Sequence, residues 1–127
     1  MIETAIRYIL LNDTTVKAIT TRCHPVTIPQ TPTYPLILYT QISGHRDHTL
    51  RGASGHVHPR FQVEAWDETY TGAKTLADAI RNVLDDYIGT ASGTVIKSCL
   101  IDSERDIYEP EIEVYRKVQD YLIWYEE

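Results

Sequence analysis

The residue types most able to do chemistry gather in two places. His45-x-x-His48 and His56-x-His58 flank a glycine-containing stretch, with Asp47 between the first pair. Zinc accepts imidazole and carboxylate donors when a fold brings them to one point. The spacing argues against that here. Residues three apart on an extended chain point to opposite faces, and no recognised zinc spacing is present. Solvated histidines at a hairpin end explain the pattern better. A small cytosolic metal-binding protein or enzyme using them is the alternative. Cys23-His24 offers two more donors, but inside a proline-rich stretch. The second place is the run Asp102, Glu104, Asp106, Glu109, Glu111 and Glu113, with Arg105 within it. Paired carboxylates do acid–base work when their surroundings separate their pKa values. A run in a polar connection between strands is by default solvated charge. The chain has no G-x-S-x-G, H-E-x-x-H or reactive-cysteine motif. Gly52, Gly55, Gly89 and Gly93 do not form a phosphate loop. No catalytic residue, metal or cofactor is expected.

Aromatic side chains crowd the end of the chain: Tyr108, Tyr115, Tyr121, Trp124 and Tyr125. Stacking platforms for nucleic-acid bases sit in basic grooves, and this region carries more acid than base. Tyr and Trp are also enriched where proteins meet proteins. Core packing competes with contact for each of them, and Trp66 reads as core or half-core.

Several elements must position these residues. Ile2, Ala5, Ile6, Ile9 and Leu10 recur at helical spacing. Asp13 is a natural N-cap for a short second helix over 14–19. Four prolines in 22–35 exclude helix and central strand, leaving an extended surface connector. Residues 36–46 alternate as a strand apolar on much of both faces. Residues 57–67 alternate again, with Val57, Phe61, Val63 and Ala65 inward and Arg60, Gln62 and Glu64 outward. The two make a β-hairpin whose loop, longer than a tight turn needs, projects. Over 70–87 the apolar stripe Ala73, Leu76, Ala77, Ile80, Val83, Leu84 and Tyr87 predicts an amphipathic helix, capped at Thr69 or Asp67 and ended near Gly89. Strands over 94–102 and 112–125 follow, joined through a polar connection at 103–111. The expectation is one α+β domain over 1–127: a mainly antiparallel sheet with helices on one face and a projecting β-hairpin.

Composition bounds the rest. A chain of 127 residues buries roughly two-thirds of the surface it would expose unfolded, enough for a core without staples. Net charge is −6 with a pI near 5.3, so phosphate-backbone binding, which needs a positive surface, is disfavoured. No apolar run approaches a membrane span and the start does not read as a signal peptide. The reading is a cytoplasm-like compartment, where Cys23 and Cys99 stay reduced.

Four pieces of the chain, taken in order, resemble the tail-completion (tail-terminator) proteins of long-tailed bacteriophages. They are the first helix with Asn12-Asp13; Tyr34-Pro35-Leu36-Ile37-Leu38-Tyr39 with Ser43-Gly44-His45-Arg46-Asp47-His48-Thr49-Leu50; Phe61-Gln62-Val63-Glu64-Ala65-Trp66 leading into Tyr70-Thr71-Gly72-Ala73-Lys74; and Ser103-Glu104-Arg105-Asp106-Ile107-Tyr108-Glu109 with its closing strand. The chain departs from the family at Arg22-Cys23-His24-Pro25, which lacks an aromatic between the arginine and the proline. The resemblance implies a structural protein and not an enzyme. It implies a ring, usually hexameric, at the head-proximal end of the virion tail, assembled in the host cytoplasm. Its partners would be further copies of itself, the tail tube protein and the head–tail connector. DNA would only pass through the lumen, and no membrane is involved. The expected contact residues are Arg46, Asp47, His48 and Arg51 in the loop, Arg105, Asp106 and Tyr108 in the polar connection, and Tyr121, Trp124 and Tyr125 on the last strand.

Overall fold

The computed structural model describes the chain except His45, Leu50, Arg51 and Glu127, and describes residues 46–49 and 52–56 by their backbone alone. Two helices lead. Helix α1 (Ile2–Asn12) buries Ile2, Ala5, Ile6, Ile9 and Leu10, the stripe its spacing dictates. Helix α2 (Thr14–Ile19) starts at Asp13, whose carboxylate accepts from the Val16 amide at 3.0 Å. The proline-rich connector holds one short strand, β1 (Cys23–Pro25), which pairs in parallel with β2 (Leu36–Ser43) at the sheet's edge. An edge is where Pro is tolerated, because the ladder does not miss its absent N–H there.

Strand β2 pairs antiparallel with β5 (Arg60–Asp67), and beyond them the hairpin continues as β3 (Arg46–Thr49) against β4 (Gly52–Val57). The projecting loop expected at 46–55 is therefore largely a two-stranded ribbon. Pro59 interrupts the outgoing strand between β4 and β5, which the alternation over 57–67 had joined into one.

Helix α3 (Tyr70–Leu84) begins at Thr69, whose hydroxyl accepts from the Gly72 amide at 3.0 Å. It ends three residues earlier than the stripe suggested. The left-handed position after it falls on Asp86 (φ 66°), not on Gly89. Aspartate tolerates that conformation better than most side chains. Strand β6 (Gly89–Ala91) turns through Ser92 and Gly93, both at positive φ, into β7 (Thr94–Glu109). Two positive-φ residues give a turn whose twist matches the flanking strands.

Strand β7 is sixteen residues long, so the expected polar connection at 103–109 is strand. It pairs along its length with β8 (Val114–Glu126). The other edge of β8 takes β5 along most of its length, then β4 at His56–Glu126 and Val57–Tyr125. The last strand is thus central, held on both edges.

All three helices lie on one face. Leu76, Ile80 and Leu84 of α3 pack with α1 and α2 on Ile37, Tyr39, Phe61, Val63, Tyr121 and Ile123. Within this core, Gln119 Nε2 donates to the Ala77 carbonyl at 3.0 Å, and the Tyr121 hydroxyl donates to Gln119 Oε1 at 2.8 Å. That chain satisfies two buried polar groups and pins α3 to β8. Cys23 and Cys99 are buried and free, and burial pushes both thiols up to about 12. No helix among the described residues is long and apolar enough to cross a membrane.

Candidate functional site

The helices cover one face of the sheet; the other carries three zones that follow from side-chain alternation. At the β1 end, Leu36, Leu38, Trp66 and Val114 form a second, small core roofed by Ile28 and Tyr34 of the connector. The Arg116 guanidinium lies over the Trp66 ring, 4.7 Å from its centroid.

The middle zone is charged. Asp120 of β8 accepts from Ser103 (3.0 Å) and Arg105 (3.2 Å) of β7, and from Arg60 (3.3 Å) and Gln62 (3.4 Å) of β5. Burial alone would push the Asp120 carboxyl up; the bonds from Ser103, Arg105 and Arg60 overcome it and hold it below the usual value. Arg60 also reaches Asp102 at 2.6 Å. Arg116 bridges Glu64 of β5 and Glu109 of β7. Glu64, expected to point outward to solvent, does leave the helix face but is only 2% exposed. Its pairing with Arg116 makes that burial tolerable. The charges cross-link three strands, so they work inside the fold.

The third zone lies toward the hairpin ribbon. Leu100 (47% exposed), Leu122 (37%) and Trp124 (43%) stand on the uncovered face, with His58 stacked on Trp124 at 4.2 Å and 17° between planes. Stacking orders the tryptophan while leaving much of it exposed, which suits a contact anchor.

On the helix side, the end of the β7–β8 hairpin holds a separate groove of about 230 Å³ between α3 and the strands, lined by Tyr70, Ala73, Ile107, Tyr108 and Tyr115 among others. Tyr108 and Tyr115 meet at 4.8 Å, and Tyr70 meets Tyr115 edge-on at 5.9 Å. Lys117 pairs with Asp106 at 3.0 Å on its rim.

The expected contact residues are thus distributed. Arg105 and Trp124 share the uncovered face, whereas Asp106 and Tyr108 border the tyrosine groove. Tyr121 and Tyr125 belong to the helix-side core, at 0% and 9% exposure, which corrects their assignment as contact residues. The parity of β8 sends them inward while sending Trp124 out. The side chains of Arg46, Asp47 and His48, and the whole of Arg51, lie outside the described residues, as do those of His45, His48 and His56 in the histidine group. Among the described residues no set of metal-binding side chains gathers. Sequence reasoning missed Asp120, Arg60 and Arg116 as a network and Leu100 and Leu122 as exposed. The polar alternation of Arg60, Gln62 and Glu64 was the available signal.

The fold and these surfaces define a protein built for contact: cross-linked strands, one uncovered sheet face, and exposed aromatic side chains at both ends. The chain belongs to the family described as Tail completion protein gp17, which matches residues 4–126. It is therefore a structural protein of phage tails. Among solved structures, a chain from the virion of a native gene transfer agent particle is similar at a TM-score of 0.78 and 13% identity, covering 97% of this chain and 92% of that chain. At that identity the likeness is one of fold. No curated protein matches the chain.

Proposed function

We propose that copies of this protein form a ring, of six subunits, that caps the tail tube at its head-proximal end and offers the head connector its docking surface. The observation that carries this reading is the uncovered sheet face ending in Leu100, Leu122 and Trp124, on a chain whose family completes tails. Tube growth is head-to-tail association that runs on until a subunit presents a face that does not propagate. A terminator needs one surface that matches the tube and another that does not match a further ring. The sheet face and the ribbon β3–β4 give the fold distinct surfaces for these tasks. DNA would traverse the lumen without holding to it, in keeping with the net charge of −6. Assembly would take place in the host cytoplasm. Arg46, Asp47 and His48 of β3 and, from the sequence, Arg51, with Arg105, Asp106, Tyr108 and Trp124, are the proposed contact residues.

The test is the double substitution Arg46→Ala and Asp47→Ala in the assembling phage. Charged contacts govern orientation and register more than raw affinity. The subunit should fold normally, while electron microscopy shows overlong tails or tails without heads. Tails of normal length joined to heads would overturn the assignment of the ribbon to assembly.

A further inference from the structure

The tyrosine groove and the ribbon stand at opposite ends of one strand. The groove adjoins the β7–β8 turn, just before β8 begins at Val114. The ribbon β3–β4 leaves the sheet where β4 pairs with Tyr125 and Glu126, at the other end of β8. Thirteen residues of strand put about 40 Å between them, so the two cannot meet within one molecule.

Their chemistry is complementary. The groove presents tyrosine rings, with Tyr108 47% exposed. On the neighbouring turn Glu111 and Glu113 are exposed and have no ion pair among the described residues. Arg116 and Lys117 are engaged by Glu64, Glu109, Glu104 and Asp106. Lys74, which also lines the groove, is one cation against Glu111 and Glu113, so the net unpaired charge of these groups is negative. The ribbon segment carries Arg46, Arg51 and His48 against the single carboxylate of Asp47. A guanidinium stacks on aromatic rings and pairs with carboxylates at once.

We propose that the ribbon of one copy seats on the tyrosine groove and acidic turn of the next, an arginine lying against the tyrosines. This rests on the ring reading and names its subunit contact. Such a contact is heterologous: each subunit uses both ends, and repetition closes into a ring when the rotation allows.

Charge reversal tests it with two variants, Glu111→Lys with Glu113→Lys, and Arg46→Glu with Arg51→Glu. Circular dichroism and thermal unfolding confirm the fold of each. Sedimentation over a range of concentrations, against wild-type protein with and without tail tubes, reads the association. Each variant alone should associate roughly tenfold or more weakly than wild type. An equimolar mixture should regain the wild-type assembly, because each ribbon then finds a turn of opposite charge. Variants that assemble alone as well as wild type overturn the contact and leave the ring standing. Weak variants whose mixture stays unassembled also overturn it. Wild-type protein that associates neither alone nor on tubes overturns the ring itself.

Discussion

At the scale of single residues, Asp120 is the most exacting position outside the core. It is 6% exposed and accepts from four side chains on two neighbouring strands. Its folded pKa lies below the usual 3.8, so its stabilising effect is complete above that value and disappears as pH falls through the folded one. Asp120→Asn should cost about 1–3 kcal/mol at pH 7. The gap between variant and wild type, measured by urea unfolding, should narrow as the pH is taken well below 4. An equal gap at both pH values would mean that shape, not charge, holds the site. Cys23 and Cys99 give a second expectation. With both thiols buried and pushed up to about 12, a thiol reagent at pH 8 should label neither until denaturant is added.

At the scale of elements, the clearest test is the seam between α3 and the sheet. Leu76 and Ile80 are fully buried, so Leu76→Ala or Ile80→Ala should each cost ~2–5 kcal/mol in denaturant unfolding. A loss below about 1 kcal/mol at both would mean that α3 belongs to a neighbour's core. Removing the Thr69 cap should cost about 1 kcal/mol. These elements were legible because their signals are local: the stripe of α3, the cap at Asp13, the alternation around Phe61 and Val63. What misled was charge. The carboxylates at 102–113 read as a loop, yet Glu104 and Asp106 are strand residues, neutralised by Arg81 from α3 and by Lys117 from the paired strand β8. Those partners lie 11 to 23 residues away in sequence, beyond any local pattern. Likewise Tyr121 and Trp124 look alike in the sequence, and only the register of β8 tells core from surface.

At the scale of the whole molecule, the sheet separates the work of folding from the work of contact. Helices bury one face, while on the other the ion pairs among β5, β7 and β8 stiffen a surface that no helix covers. Trp124 stands on that surface beside Leu122 and Leu100. Trp124→Ala should therefore shift the unfolding temperature little, since the residue is 43% exposed, while weakening self-association or tube binding by tenfold or more, as loss of an aromatic anchor does. Sedimentation and a tube-binding assay read the two separately. A large fall in unfolding temperature with association unchanged would make Trp124 a structural residue of the monomer.

The central place of β8 has a consequence for synthesis. Strands β5 and β7 never pair with each other; each is joined to the sheet's middle only by β8, which follows both along the chain. A ribosome making this protein holds two hairpins with no backbone pairing between them, linked only through helix packing and side chains, until residues past Tyr115 are free to thread between them. Long-range pairing of this kind folds slowly, and the waiting strand edges can pair with other chains. A nascent chain stalled before Tyr115 should thus remain protease-sensitive throughout, and a faster-translating host should accumulate more aggregate than a slower one.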